Sequence, residues 1–466
     1  MTPRTEPGAG GAVGGAAGLR ALADEAERGL AAHGLVLRDL GVPRADDPAA
    51  ARFLTAVERG FYETPPTGAH LTQVLEGHAA DGRRRLAVHR DAADPAAAAP
   101  VATFEDFTAP LTVSPGRVQD AALISSVTVD PGLRRRGILR TMMLRSLADA
   151  AAAGVAVAAL TASEAPIYGR FGFGVATRWR RAHVDVSGEP RLRGPVPAGR
   201  VLREEPREIG SLVDELYQRV RLLHPGTVQR TASFLPAWED RSLGEAEGKG
   251  AGLYAAVHRD DDDTPQGVAL YRFCGWDTEP VTVRVRTFLA ATADARRGLL
   301  EHLVHLDLVR CLDWDRAPAP GWVEAAFEDE RRVRTHVASD DLHLRLLDLP
   351  AAAAARGWSA DGELTVAVDD PLGPVSGLWR LRAEGGAGTA ERVGDVPAVV
   401  HPGVGGADLR MVVDRLSGLW LGGHGAGASA AMLADAGLVD ELRPGAAERL
   451  DGMLRAARAP HSLTGF

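Results

Sequence analysis

Lysine is nearly missing from this sequence: of 53 basic residues in 466, only Lys249 is a lysine, so arginine carries the positive charge. Cysteine is almost as scarce, with Cys274 and Cys311 alone. Neither stands in a CxxC or zinc-type cluster, which excludes a disulfide scaffold and a zinc ribbon. One disulfide or two free thiols remain open, and free thiols are the expectation. No metal-ligand spacing appears elsewhere, and no metal is expected. No run approaches the roughly 18 apolar residues of a membrane helix, so no membrane partner is expected. The first nineteen residues are rich in Gly, Ala and Pro, and they hold too little Leu, Ile or Phe for a secretory signal. They read as the start of a disordered tail over residues 1–30, in a protein expected to be cytoplasmic. The net charge is -9. That disfavours nucleic acid as a partner and favours cationic small molecules.

What is present is ordinary for a soluble globular chain: 45% hydrophobic and 25% charged residues. At roughly 150 residues per domain the length allows about three domains. Periodicity predicts strands at Leu35–Leu40, Arg84–His89, Val101–Phe107 and Ala121–Val129, the middle two around an Asp-Pro-Ala loop. It predicts helices at Pro48–Arg59, capped by Asp46 or Asp47, and at Arg136–Ala152 with Leu139, Met143 and Leu147 on one face. Val155–Leu160 reads as a short buried strand. The order is that of α/β layers. Arg191–Gly199 has linker composition. A strand and helix follow through Ile209–Leu223, and Asp260–Asp263 reads as a solvated turn. Beyond about Leu346, Ala351–Ala355 reads as a helix, Leu364–Val368 and Leu378–Leu381 as strands, and Glu448–Ala457 as a final helix. His424, among glycines, reads as a loop or core histidine rather than a ligand.

One segment repeats. Arg135-Arg-Gly-Ile-Leu139 recurs 161 residues on as Arg296-Arg-Gly-Leu-Leu300, Gly137 matching Gly298. Each copy follows an extended apolar run and is expected to open an amphipathic helix, as in a duplicated fold.

The first copy carries the chemistry. In Val127-Thr-Val-Asp-Pro-Gly-Leu-Arg-Arg-Arg-Gly-Ile-Leu-Arg140 a strand ends, a tight turn follows and a helix begins. A helix start presents free N–H groups and a positive dipole end. Gly137 permits close approach of backbone to ligand, and Arg134, Arg135, Arg136 and Arg140 add charge. The construction suits a pyrophosphate. It is neither a Walker loop nor a Rossmann fingerprint, since GK[ST] and GxGxxG are both absent.

This segment resembles motif A of GNAT acetyltransferases, Q/R-x-x-G-x-G/A. Arg134 and Gly137 fill the first and fourth places, and Leu139 departs from the last. Ser163-Glu-Ala-Pro-Ile-Tyr-Gly-Arg-Phe-Gly-Phe-Gly174 resembles the Tyr-x-x-x-Gly-Phe element of the same class. Together with Asp341–Pro350, Arg356-Gly-Trp358 and the closing Phe466, they resemble the Eis (enhanced intracellular survival) family in its actinobacterial form. The resemblance spans nearly the whole chain after about residue 30.

It implies an α/β (α+β) protein of tandem GNAT folds followed by a sterol-carrier-protein-like α/β domain. The implied domains are a catalytic GNAT domain (31–190), a second, degenerate one in which Ala295 replaces Arg134 (191–345), and the sterol-carrier-like domain (346–466). It implies an acetyl-CoA-dependent N-acetyltransferase of primary amines, including several positions on aminoglycosides, assembled as a homohexamer. The implied acetyl-CoA contacts are Val127, Thr128, Val129, Arg135, Arg136, Gly137, Ile138, Leu139, Arg140, Ser163 and Glu164. Tyr168 would be the general acid, and the carboxylate of Phe466 would help deprotonate the amine. Substrate contacts are expected at Phe61, Glu63 and Ser126, where Ser126 stands in place of the family's aromatic and Thr161 in place of its histidine. Two other readings compete: a protein or peptide N-acetyltransferase on the same fold, and a non-enzymatic lipid carrier with a vestigial GNAT half.

Overall fold

The computed structural model describes residues 15–44, 46–91, 98–233, 252–396, 406–423 and 428–466. Lys249, His424 and the Asp-Pro-Ala loop lie outside them, as does the expected tail up to residue 14.

From residue 16 the expected tail is instead a helix, α1 (Ala16–Ala31). Alanine is the best intrinsic helix former, and Leu19, Ala23 and Leu30 recur at helical spacing and are fully buried. Their face packs against a later helix that contains Met142 and Leu147, so the composition that suggested disorder serves a packed helix. Helix α2 (Pro48–Gly60) starts at Pro48, with the Asp47 side chain accepting from the Ala49 amide at 2.8 Å, and α3 (Gly68–Ala80) follows.

Strands β1 (Leu35–Gly41), β2 (Arg84–Arg90), β3 (Ala102–Ser114) and β4 (Arg117–Val129) pair antiparallel in chain order. Helix α4 (Ile138–Ala152) then carries the chain to β5 (Val157–Thr161), which pairs parallel with β4. It begins two residues later than its periodicity suggests, because Gly137 caps it in the left-handed conformation. Strands β6 (Gly174–Val175) and β7 (Arg178–Asp185) follow.

The next stretch repeats the plan with β8 (Arg200–Glu204), α5 (Gly210–Arg221), β9 (Leu253–Arg259), β10 (Pro265–Phe273) and β11 (Thr282–Ala290). Helix α6 (Ala293–Val304) leads to β12 (Cys311–Ala317), parallel to β11. Helix α7 (Trp322–Ala326), β13 (Val333–Asp340) and β14 (Leu342–Leu346) complete it.

The two seven-stranded sheets exchange strands: their orders are β1-β2-β3-β4-β5-β14-β6 and β13-β7-β12-β11-β10-β9-β8. β7 belongs to the second sheet although it precedes the linker, and β14 returns to the first. The sheets therefore do not divide at 190/191 and 345/346. The linker marks a change in composition, whereas β7 is held by backbone bonds to β12 and β13.

The third domain holds α8 (Leu349–Ala355), β15 (Gly362–Asp369), β16 (Gly377–Glu384), β17 (Ala387–Gly394), β18 (Leu409–Val412), α9 (Val413–Leu419), α10 (Ala430–Asp435), β19 (Asp440–Glu441) and α11 (Ala446–Leu454). Its sheet runs β17-β16-β15-β18-β19. One face of the first sheet buries α1 and α4. The other face, through Phe107, Leu111, Leu123 and Leu344, shares a continuous core with Leu364, Leu381 and Trp420 of the third domain. Arg345 of β14 and Asp370 form a fully buried ion pair at 2.7 Å across this junction. Arg356 is buried between the Trp358 and Trp420 rings and donates to the carbonyls of Trp420 and Leu454, both at 2.6 Å.

Candidate active site

The site begins where two parallel strands part. β4 and β5 stay in register from Ala121 opposite Val157 to Ile124 opposite Leu160. β4 then continues through Val129 paired only with β3, while β5 ends at Thr161. The parting coincides with a bulge at which Ser126 has φ +54° and the register against β3 shifts between Thr103 and Glu105. The Thr103 hydroxyl donates to the Ser126 carbonyl at 2.8 Å and lies 2.6 Å from the Thr128 hydroxyl, which fixes the bulge. Val127, Thr128 and Val129 thus form one wall of a wedge.

The base of the wedge is the turn into α4. Asp130 accepts from the Gly132 amide at 2.8 Å and closes a short 3-10 turn. Arg135 at φ +66° and Gly137 at φ +79° are both left-handed, with Arg136 between them. Such alternation turns successive N–H groups toward a common anion. A side chain at Gly137 would meet nothing within 4 Å, so handedness and access, not crowding, call for glycine here. Arg134, Arg135, Arg136 and Arg140 are exposed, and Ile138 anchors the first turn in the core. Free first-turn amides, a positive helix end and exposed guanidinium groups together fit a pyrophosphate.

The opposite wall follows β5. Ser163 and Glu164 are exposed, and Tyr168 is buried with its ring edge-on to Phe173 at 6.3 Å. Burial and then the Glu164 carboxylate raise the Tyr168 hydroxyl above its ordinary range, so it stays protonated at neutral pH. The glycines that follow have a packing reason. A Cβ on Gly172 would lie 2.7 Å from Arg345 Nη1, and one on Gly174 would lie 1.8 Å from the Asp414 carbonyl oxygen. That motif docks the third domain against the site.

The end of the chain arrives from the other side. The His461 amide donates to the Pro225 carbonyl at 2.8 Å and the Thr227 hydroxyl to the His461 carbonyl at 2.7 Å. Arg316, ion-paired to Asp341 at 2.8 Å, also reaches the Ser462 carbonyl. The segment ends with the Ser125 hydroxyl donating to a Phe466 main-chain oxygen at 3.0 Å and the Phe466 ring edge-on to Phe107 at 6.2 Å. Phe466 therefore lies on β4, one residue before the bulge.

Beside it is a network of carboxylates. Glu105, opposite Ser125 on β3, is fully buried. It accepts from Ser126 at 2.7 Å, contacts His78 Nδ1 at 3.0 Å and faces Arg83 at 3.8 Å. Burial alone would raise its carboxyl, but His78, Arg83 and the Ser126 hydroxyl outweigh that and hold it below the usual range. Arg83 also lies over the Phe107 ring at 4.3 Å. Near His78, Glu58 is raised, first by burial and then by the charge and hydrogen bond of Glu63. Helix α2 brings this pair to the site because Gly60 rests on β4, where a Cβ would lie 2.5 Å from Thr128 Cγ2. The fold thus joins Ser126 to Glu63 through Glu105, His78 and Glu58. It leaves the Phe61 ring 41% exposed on the surface. Ser125, Glu105, His78, Arg83 and Phe107 were not legible as site residues; the one available signal was the Glu105-Asp106 pair, the only charged residues of their strand.

The second domain has the same parting strands without the turn. Thr292 caps α6, accepting from the Ala295 amide at 3.1 Å, so the helix already covers Arg296–Gly298. The second copy of the repeat therefore lies inside its helix and does not open it. A Cβ on Gly298 would sit 2.8 Å from the His258 ring.

A family model described as an acetyltransferase (GNAT) domain matches residues 44–176, and a second so described matches 226–346. A sterol carrier protein domain matches residues 349–462. Two GNAT folds in tandem, the first with a complete turn at parting strands, and a sterol-carrier domain define a GNAT N-acetyltransferase, a class that takes its acyl group from acetyl-CoA. An uncharacterized N-acetyltransferase of Streptomyces avermitilis is 31% identical over 91% of this chain and 97% of its own length. The N-acetyltransferase Eis of Mycobacterium tuberculosis is 33% identical over 69% of this chain and 75% of its own. The crystal structure of Eis1 from Mycobacterium abscessus superposes with a TM-score of 0.75 at 26% identity, covering 93% of this chain and 100% of that one. The chain belongs to the Eis family of GNAT N-acetyltransferases.

Proposed function

We propose that this enzyme acetylates primary amines of cationic small molecules, aminoglycosides and other polyamines among them, at the wedge between β4 and β5. The observation that carries the reading is the seating of Phe466 on Ser125, cross-strand from the Glu105 carboxylate, which His78 links to the Glu58–Glu63 pair. Acetyl-CoA supplies the activated acyl group as a thioester. In this reading Arg135, Arg136, Gly137, Ile138, Leu139 and Arg140 hold its pyrophosphate. Val127, Thr128 and Val129 align its arm on one wall, with Ser163 and Glu164 facing them. A β4 amide stabilises the charge that develops on the acyl oxygen.

The acceptor arrives as an ammonium ion. The Glu58–Glu63 pair shares a hydrogen bond at the pocket rim, and a bound cation relieves the repulsion between the two carboxylates. The Phe466 carboxylate, held by Ser125 and the Phe107 ring, takes the ammonium proton directly or through water. Tyr168 keeps its proton until the thiolate departs and then delivers it. The same reading extends to the family's homohexamer and to a cytoplasmic location.

A coupled assay of CoA release against neutral amines, polyamines, aminoglycosides and peptides, with intact mass of each product, tests the proposal. Turnover confined to peptides, or as fast with neutral amines as with polyamines, overturns it.

A further inference from the structure

The second domain's parting strands enclose a cavity of about 400 Å³ that the acetyl-transfer reading does not use. β11 and β12 stay in register from Thr282 opposite Cys311 to Val285 opposite Trp314, then separate as β4 and β5 do. Val285 stands 161 residues after Ile124, the same offset as the sequence repeat, so the cavity is the counterpart of the acyl-CoA wedge. With α6 extended through the former turn, no pyrophosphate loop remains there. The lining has changed accordingly.

Three aromatic rings form one wall. Phe288 lies 4.7 Å from Trp314 and 6.0 Å from Trp322, and the two indoles are 6.1 Å apart. Arginines dominate the charge: Arg286, Arg296, Arg316 and Arg458 line the cavity against one carboxylate, Asp315. Arg286 is paired with Asp315 at 3.0 Å and Arg316 with Asp341 at 2.8 Å. Arg296 and Arg458 have no carboxylate partner among the described residues. Arg296 lies 5.5 Å over the Trp322 ring, is partly desolvated, and faces the like charge of Arg458. Two neighbouring guanidinium groups without a counter-charge are unfavourable unless an anion joins them. Histidines 224 and 461, also in the lining, are held neutral by burial and by these arginines and supply no negative charge.

We propose that this cavity is a binding site for a small organic anion. Its oxyanion, carboxylate or phosphate, is held between Arg296 and Arg458, and its aromatic or apolar body lies against Phe288, Trp314 and Trp322. The pairing of fork-shaped donors with an aromatic wall suits such a molecule. Arg458, His461 and Leu463 belong to the segment that ends at Phe466, so the occupant touches the tail that reaches the acetyl-transfer wedge.

The test uses the whole protein with coenzyme A saturating the first domain. Phenyl phosphate and benzoate are titrated calorimetrically, with benzamide as the neutral counterpart. One saturable site per chain is expected for at least one of the two anions, and the tighter of them identifies the head group. Arg296→Gln and Arg458→Gln are each expected to weaken binding about tenfold or more, through loss of a charge-assisted contact. Trp322→Leu, which leaves both charges in place, is expected to weaken it as well. Without ligand, the arginine variants should keep or gain thermal stability, because a like-charge contact is removed. Absence of saturable binding of both anions, equal binding of benzamide, unchanged affinity in both arginine variants, or competition with coenzyme A overturns the proposal.

Discussion

Burial and then the Glu164 carboxylate keep the Tyr168 proton on at neutral pH. Removal of the hydroxyl alone, in Tyr168→Phe, is expected to lower kcat by roughly 10²–10⁴-fold with acetyl-CoA affinity unchanged. A thiol-release assay that finds near-normal turnover assigns the proton to another group. Glu58 leads to a pH dependence of defined sign. Its folded-state value is raised by burial and by Glu63, so at acid pH it is neutral and contributes nothing to cation binding. As pH rises through that raised value the pair gains a charge, and KM for a polyamine should fall and then level off. Glu58→Gln should flatten this limb without moving KM for acetyl-CoA; an unchanged profile places the acceptor elsewhere. Residues of this kind differ in how visible they are in a sequence. Tyr168 and Gly137 stand in short motifs whose spacing is set by one turn, and Phe466 stands at the end. Glu105, His78 and Arg83 come together only through pairing of β3 with β4 and packing of α3, and a lone charged residue in a sequence does not show that its carboxylate is fully buried.

At the scale of elements, the strand–turn–helix unit occurs twice with one sequence pattern and two conformations. In the first, the left-handed Arg135 and Gly137 hold the turn open before α4. In the second, Thr292 starts α6 early and the equivalent residues are helical. One acetyl-CoA per chain is therefore expected in a calorimetric titration; two equivalent sites would refute the assignment of the turn. If the turn holds acetyl-CoA, Gly137→Val should weaken that single site strongly, since a β-branched residue resists left-handed φ and its side chain would fill the open space beside the turn. The strands β1, β2, β4 and β5, with α2 and α4, were readable from alternation, periodicity and caps. The exchange of β7 and β14 was not, because an apolar strand pattern records that a segment is buried and not which sheet buries it. Helix α1 was missed for a different reason: its apolar stripe is mostly alanine, and the Gly-rich stretch before it dominates the composition.

At the scale of the whole molecule, the third domain explains why the chain end is where it is. It shares one core with the first sheet, through Phe107 and Leu123 on one side and Leu381 and Trp420 on the other. The Arg345–Asp370 pair and the glycines at 172 and 174 fix that junction closely. From α11 the chain then crosses the second domain, held at Pro225, Thr227 and Arg316, and ends on Ser125. All three domains thus position one main-chain oxygen beside the β4 bulge. If that group is the base, its location matters more than its side chain. Appending a single glycine after Phe466 removes nothing, yet it shifts the carboxylate by about 3.5 Å and leaves an amide, which cannot accept the ammonium proton, on Ser125. Activity should fall strongly, while the thermal unfolding midpoint and acetyl-CoA affinity stay near their original values. Phe466→Ala, which keeps the carboxylate but loses the contact with Phe107, should fall less in kcat than the extended chain. Equal activity of the extended and original chains would move the base to water or to Glu63, and the tail would then be a strap that ties the domains together.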